Sequence, residues 1–442
     1  MNIQLSDHFN YKKLLRFTMS PIIMMIFTSV YSMVDGLFIS NFVGVTPFAA
    51  INLIFPFAQM VSCFGFMFGS GGSALVSATL GAKQPEKANR IFSLLTYTSL
   101  IVGIAVGALS ILFIRPIAIW MGADAQLLPH CVTYGRILLM ALPLFMLQNL
   151  FQSFLVTAER PGFGLLVTVI AGVTNIGLDA LFIVVFHWEV VGAAAATAIA
   201  QCVGGLIPLI FFCRKNGSLL RLGKTHFDGK ALLASCSNGL SELVTNISMS
   251  VVSILYNFRL IRLAGENGVA AYGAVMYVGF VFVAVFLGYG IGATPVIGYH
   301  YGAQDHRELR GLFQKSNGII AIASVLLGGI ALLLARPLAR LFVGSEPELM
   351  ELTCTAFRFY SAAVLFSGFP ILGSAFFTAL NNGIVSATIS FMRTIVFQIG
   401  AVLILPLFFG LDGVWLSLVL AEILATVVTV IFYKTKRSTY HY

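Results

Sequence analysis

Long uncharged stretches of apolar residues recur along the whole chain. The segment 91–113, IFSLLTYTSLIVGIAVGALSILF, has no charged residue in 23 positions, and a helix needs only about 20 apolar residues to cross a bilayer. The stretches do not alternate in polarity as barrel strands do. The pattern predicts an all-α membrane protein with twelve transmembrane helices, numbered here helix 1 to helix 12 in chain order. The predicted spans are 14–40, 47–79, 91–114, 131–156, 163–186, 190–213, 231–261, 268–300, 316–335, 353–379, 383–409 and 412–433.

The composition excludes a soluble globular class. Hydrophobic residues make up 58% of the chain and charged residues 10%, against about 25% charged in ordinary soluble proteins. The six cysteines form no CxxC pair and the seven histidines show no metal-ligand spacing. No phosphate-binding loop, nucleophile elbow or HExxH motif occurs. We therefore expect no enzyme and no cofactor.

The basic residues indicate how the chain lies in the membrane. The net charge is +9, but 18 of the 26 Lys and Arg fall on the side of the termini and only five on the opposite side. Such asymmetry follows the positive-inside rule and predicts that both termini are cytoplasmic. The surplus is thereby explained without a nucleic-acid partner. We expect a multi-pass protein of the plasma membrane, most naturally a bacterial inner membrane, and a monomer.

The chain repeats itself at half its length. When the sequence is shifted by 221 residues, GSGGSALVSATLGA (69–82) falls on GIGATPVIGYHYGA (290–303), and further matches extend from residue 29 to residue 413. This predicts two pseudo-symmetric six-helix lobes, 1–213 and 231–442, joined by a cytoplasmic linker at 214–230. Six spans per lobe make the repeats parallel, an architecture of transporters that alternate access. A duplicated structural bundle is the alternative.

Two carboxylates lie deep in spans of the first lobe. At 1.5 Å per residue, Asp35 is about 27 Å along helix 1 and Asp179 about 24 Å along helix 5, and Asn175 shares a helix face with Asp179. Thr197 of helix 6 reaches a similar depth. These hard oxygen ligands suit a small cation or a shared proton. The alternative is that each acid pairs with Lys or Arg, but helices 1, 5 and 6 contain no basic residue near these depths.

The repeat restricts this predicted cation site to one lobe. A purely architectural role would persist in both copies, whereas the positions 221 residues further on carry no such ligand set. The equivalents of Asp35, Asn175, Asp179 and Thr197 are Tyr256, Val396, Gly400 and Leu418.

Four further polar residues in or near the spans need an interpretation. Gln148 and Gln152 share a face of helix 4 among phenylalanines, which suits either a cavity for large cationic ligands or interhelical hydrogen bonds. Glu242 on helix 7 is a second protonation site, a partner for a cationic substrate, or a solvated residue near the cytoplasmic face. For Glu422 we expect pairing with Arg393.

The sequence resembles the multidrug and toxic compound extrusion (MATE) family over nearly its whole length. The resemblance rests on SMVDGLFISNFVG, GSGGSALVSATLGA, NIGLD and GAAAAT, and on the 6+6 organisation. It implies a V-shaped pair of lobes that expels cationic or amphipathic compounds in exchange for sodium ions or protons. It assigns the cation site to Asp35, Asn175, Asp179 and Thr197, and cavity-lining amides to Gln148 and Gln152, where Gln replaces Asn.

The chain also departs from part of that family. Some members use acids on helices 7 and 10, but here helix 10 has none and Glu242 comes early on helix 7, which counts against a cation site in the second lobe. The predicted function is a secondary antiporter for small organic molecules in contact with membrane lipid. The alternatives are a flippase of a lipid-linked precursor, a passive channel, and an integral-membrane lipid-modifying enzyme, which would need a nucleophile, metal cluster or acid/base set.

Overall fold

A computed structural model describes residues 3–343 and 347–442, and all regular secondary structure in these ranges is helical, without a strand. Long apolar runs satisfy their backbone hydrogen bonds internally as helices, which a membrane requires. The α-helices are Tyr11–Phe42, Val45–Gly81, Pro85–Leu112, Ile114–Trp120, Leu128–Met140, Leu142–Thr157, Pro161–Asp179, Glu189–Cys213, Gly229–Gly302, His306–Val343, Pro347–Ala379, Gly383–Phe391 and Gln398–Tyr440, with π-helices Ala180–Val185 and Met392–Phe397.

Two glycines bring the count to twelve membrane spans. In the described ranges, nine helical stretches are long and apolar enough to cross a membrane, and a bent pair supplies a tenth. Gly265 divides Gly229–Gly302 into helices 7 and 8, and Gly410 separates helices 11 and 12. Both have a positive φ, 61° and 56°, which glycine adopts at no steric cost. The prediction of twelve transmembrane helices is confirmed.

The backbone repeats the internal symmetry of the sequence. Three pairs of residues with left-handed φ are each separated by 221 positions. They are Gly44 and Gly265 (98° and 61°), Lys83 and Gln304 (60° and 58°), and Glu189 and Gly410 (46° and 56°). All mark connections between spans, so the two lobes turn at equivalent points.

Helix 4 is bent where a single straight span, 131–156, was predicted. Leu128–Met140 and Leu142–Thr157 meet at 54°. Pro143 has no N–H to donate to a carbonyl of the preceding turn, which explains the break at Ala141. The second segment is directed against helix 6, where Gln148 packs beside Gly204.

The lobes meet through glycines at the ends of helices nearest the termini. A Cβ atom on Gly71 of helix 2 would overlap the carbonyl oxygen of Ser235 on helix 7, and a Cβ atom on Gly239 would overlap that of Met67. The symmetry-related contact joins Gly292 of helix 8 to Thr18 of helix 1, where a Cβ atom would lie 2.9 Å from Thr18 Cγ2. Close backbone approach of this kind is typical of small residues at helix interfaces in lipid.

The N-terminal segment 3–10 bridges the lobes on the same side. The backbone N–H of Leu5 donates to Glu159, after helix 4, at 2.6 Å. The N–H of Phe9 donates to Glu308 of helix 9 at 2.8 Å, and His8 Nδ1 lies 2.6 Å from the other Glu308 oxygen. This segment therefore adds hydrogen bonds to the glycine contacts between the lobes.

Candidate functional site

Helices 1 and 5 approach closely because Gly172 has no side chain. A Cβ atom at Gly172 would lie 2.5 Å from Phe27 Cε1 and 2.9 Å from Tyr31 Cδ1 of helix 1. Gly172, Asn175 and Asp179 are all buried, and their spacing of three and four residues places them on one helix face. Asp35 lies one turn beyond Tyr31, so the same approach directs it at helix 5.

The structure brings Asp35, Asn175 and Asp179 together. The Asp35 side chain lies close to both Asp179 and Asn175. Asp179 is 0% exposed and Asn175 2%, while Asp35 is partly exposed. Immediately after Asp179 the helix changes to the π form over Ala180–Val185, a distortion that often accompanies functional sites.

No basic side chain neutralises this carboxylate pair in the described residues. None of the ion pairs found there includes Asp35 or Asp179. Neither oxygen of Asp179 accepts a hydrogen bond from an N–H or O–H donor of the described chain, and Asp35 Oδ1 is also unpartnered. Two adjacent buried carboxylates repel each other unless a proton or cation lies between them.

Two hydroxyl groups complete the surroundings of the pair. The Tyr134 hydroxyl, from the first segment of helix 4, lies near Thr197 and within electrostatic range of both carboxylates. Tyr134 is 1% exposed, and Thr197 contributes a buried oxygen that forms no geometrically sound hydrogen bond within the described chain. Sequence reasoning missed Tyr134, because a tyrosine near a helix end carries no spacing signal.

The two glutamines lie inside the first lobe. Gln148 is 6% exposed and Gln152 8%. A Cβ atom on Gly204 would lie 2.5 Å from Gln148 Cδ, so this amide packs against helix 6. Gln201, one turn after Thr197, is also buried, and in the described structure its Oε1 lacks a partner. Gln201 was missed, although its i,i+4 spacing from Thr197 is visible in the sequence.

Glu242 lies near the contact between the lobes and apart from the carboxylate pair. It is less than one turn after Gly239 on helix 7 and within electrostatic range of Cys63 on helix 2. It is partly exposed, and over residues 3–343 and 347–442 it forms no ion pair. The Asn246 side chain donates to the backbone carbonyl of Glu242 at 2.8 Å, leaving the carboxylate free of that contact.

The second lobe has uncharged residues at the positions equivalent to Asp35 and Asp179. Tyr256, at the position of Asp35, is hydrogen-bonded to Ser417 at 2.6 Å and stacks on Tyr272 with ring centroids 5.1 Å apart. Glu422 accepts hydrogen bonds from Arg393 at 2.8, 3.0 and 3.1 Å, as predicted. Glu422 is thus paired with a basic residue, whereas Asp35 and Asp179 of the first lobe are not within the described chain.

Comparison with known proteins gives the same architecture. The MatE sequence profile matches residues 21–181 and 243–404, one match in each lobe. The chain belongs to the MatE family. MatE proteins are multidrug efflux transporters and not enzymes, which confirms the resemblance and excludes the enzyme alternative.

Individual MatE relatives cover almost the whole chain. The multidrug export protein MepA of Staphylococcus haemolyticus is 25% identical over 413 residues, 93% of this chain and 90% of that protein. A crystal structure of MATE in complex with MaL6 superposes with a TM-score of 0.93 at 24% identity, covering 98% of both chains. An outward-facing multidrug resistance MATE transporter also gives 0.93 at 24%, covering 100% of this chain and 98% of that one.

Proposed function

We propose that this MatE protein is a secondary antiporter that exports cationic or amphipathic organic compounds in exchange for sodium ions or protons. The lobes that move are residues 1–213 and 231–442, with 214–230 as the linker. The observation that carries the proposal is the pair Asp35 and Asp179, which face each other without a basic partner in the described chain.

The pair supplies the means of coupling. An ionised carboxylate is costly in hydrocarbon, so such residues usually have a partner or line a cavity. A sodium ion or a proton meets this requirement, with Asn175 and Thr197 as further oxygen ligands. When the lobes change orientation, Asp35 and Asp179 release the cation to the other side and become available for the next one.

We propose that the Glu242 carboxylate attracts a cationic substrate electrostatically. It faces helix 2 of the opposite lobe near Cys63 and lies beside the Gly239 contact that joins the lobes. A molecule bound between the lobes would meet this carboxylate. Gln148 and Gln152 contribute amide groups within the first lobe. The name of the staphylococcal relative, a multidrug export protein, supports this substrate class.

The contacts between the lobes support alternating access. The interlobe glycine contacts described above lie at the ends of helices 1, 2, 7 and 8 nearest the termini. With the termini in the cytoplasm, as the basic residues indicate, this conformation is closed on the cytoplasmic side. We propose the bacterial inner membrane as the location and a monomer as the working unit.

The test is transport of a fluorescent organic cation into everted membrane vesicles. Outward-directed sodium or proton gradients should drive accumulation in the wild type. Asp35→Asn and Asp179→Asn should each abolish accumulation while the variants reach normal levels in the membrane. The control variant is Glu189→Gln, at an exposed residue where helix 6 begins, and it should transport normally. Replacing sodium by potassium at fixed pH identifies the coupling ion. Wild-type rates in both Asp variants would refute the proposed coupling.

A further inference from the structure

Two adjoining cavities lie at the termini-bearing end of the second lobe, between the start of helix 9 and the end of helix 12. Their volumes are about 350 Å³ and 300 Å³. Arg310, Arg437 and Tyr442 line both of them. We call them together the basic cavity. It is separate from Asp35, Asp179 and Glu242, and the proposed transport cycle does not use it.

The basic cavity concentrates positive charge. Arg307 lines the first part and Lys434 the second, in addition to the shared arginines, and no Asp or Glu lines either part in the described chain. The nearest acid on helix 9, Glu308, is buried and engaged with His8 and the N–H of Phe9. Among the described residues, Arg437 Nε donates to the Tyr442 main-chain oxygen at 3.2 Å, and no carboxylate side chain in the cavity pairs with the other three cations.

Aromatic rings form the floor beneath these charges. Phe313 lies 4.8 Å from both Tyr433 and Tyr442, measured between ring centroids. The Tyr442 hydroxyl donates to the Tyr433 carbonyl at 3.0 Å. On one flank Val430 is 42% exposed on the apolar surface of helix 12. The cavity thus joins a cationic rim to a surface that faces hydrocarbon.

The internal repeat shows that this cluster is not part of the common scaffold. The equivalents of Arg307, Arg310, Lys434 and Arg437 in the first lobe are Glu86, Asn89, Cys213 and Asn216.

The equivalent groove of the first lobe is filled by the linker. The N–H of Arg221 donates to Asn89 at 2.8 Å, and the N–H of Gly223 donates to Ser93 at 3.1 Å. In the second lobe, the corresponding ends of helices 9 and 12 carry the four cations that line the basic cavity.

We propose that the basic cavity binds a phosphate group, supplied by the headgroup of an anionic phospholipid or by free phosphate. Guanidinium groups hold phosphate oxygens through paired, charge-assisted hydrogen bonds. Basic pockets between helices on the cytoplasmic side are suited to anionic headgroups, and Val430 lies where an acyl chain would leave the cavity.

The purified full-length protein in neutral detergent provides the test. Its thermal unfolding midpoint is measured against added phosphatidylglycerol, phosphatidylcholine and inorganic phosphate, with chloride at equal ionic strength as the reference. We expect phosphatidylglycerol to raise the midpoint more than phosphatidylcholine. An equal response to inorganic phosphate would identify free phosphate as sufficient, whereas no response to phosphate would identify the lipid headgroup.

Variants then locate the effect. Arg310→Gln/Arg437→Gln should weaken the apparent affinity by about tenfold or more, in line with loss of two charge-assisted contacts. Lys87→Gln/Lys224→Gln, which removes two exposed charges on the same side outside the cavity, should not. If the arginine pair proves necessary for folding, Arg307→Gln/Lys434→Gln takes its place. Equal responses to both phospholipids without a response to phosphate, or an unchanged response in the cavity variants, would overturn the proposal.

Discussion

Gly81 and Gly302 occupy equivalent positions in the two lobes, and each lies against the backbone of the opposite lobe. A Cβ atom on Gly81 would overlap the carbonyl oxygen of Tyr299, and one on Gly302 would overlap that of Ala78. Positions 78 and 299 are themselves 221 residues apart, so the two contacts exchange under the repeat. Helices 2 and 8 therefore cross at the pseudo-twofold axis with no room for a side chain on either.

From this crossing we predict that Gly302→Ala loosens the contact between the lobes on the side of the termini. The added methyl group meets backbone that cannot rotate away, and overpacking of this kind costs about 1–3 kcal/mol. The measurement is the labelling rate of Cys236, which follows the Ser235 contact with Gly71 between the lobes, in a variant lacking the other cysteines. We expect faster labelling in Gly302→Ala. Gly273→Ala, where a Cβ atom meets nothing within 4 Å, is the control, and equal rates in the two would contradict the prediction.

The position of Gly172 predicts that coupling depends on helix spacing as well as on the carboxylates. Gly172→Ala places a methyl group against the rings of Phe27 and Tyr31, so these rings or helix 1 itself must shift, and we expect Asp35 to move relative to Asp179. We expect cation-driven transport to fall by about tenfold, equivalent to about 1.4 kcal/mol of lost cation affinity. On the same helix, Gly177→Ala has open space and should transport normally. If both variants behave alike, helix spacing does not govern the site.

The Arg393 and Glu422 pair predicts strong destabilisation by single substitutions. The side chains are 14% and 7% exposed, so removing one partner leaves a buried charge and costs about 3–5 kcal/mol. Arg393→Met and Glu422→Gln should each lower the unfolding midpoint clearly. The double variant Arg393→Met/Glu422→Leu should recover most of the loss, because it buries no charge. Additive losses would show that the pair does not act as a unit.

Asp7 lies in the N-terminal segment, Glu159 accepts a hydrogen bond from that segment, and both are outside the spans. We expect these two acids to make the stability of the fold depend on pH in opposite directions. The hydrogen bond from Lys13 lowers the pKa of Asp7, so this contribution is present above the ordinary Asp pKa of about 4 and is lost as pH falls. Burial raises the pKa of Glu159. Its protonated form therefore stabilises the fold at low pH, and this contribution is lost as pH rises through the raised pKa.

The matching experiment compares unfolding midpoints at about pH 2.5, below the ordinary Asp and Glu pKa values, and at about pH 7.5. Asp7→Asn should lower the midpoint mainly at the higher pH. Glu159→Gln keeps an oxygen for the Leu5 N–H and should raise the midpoint at the higher pH relative to the wild type. If either variant changed the unfolding midpoint by the same amount at both pH values, the ionisation of that residue would not contribute to the pH dependence of stability.

Sequence patterns anticipated some features of the site and not others. The i,i+4 spacing placed Asn175 beside Asp179, and the repeat identified Tyr256 as the neutral equivalent of Asp35, because both follow from position along a helix. Tyr134 was not anticipated, since it reaches Thr197 from another helix. The bend at Ala141 was also missed, because a proline near the middle of an apolar run does not specify an angle.

The sequence by itself determined the membrane class, the twelve helices and their duplication, because apolar length and periodicity are local properties that the bilayer and the backbone convert directly into helices. Tertiary structure alone decided which polar groups meet. It brought Asp35 against Asp179, joined Arg393 to Glu422, and gathered the basic cavity from helices 9 and 12. Those outcomes depend on where helices touch, and glycine contacts such as Gly172 with Phe27 set that distance only once the chain is folded.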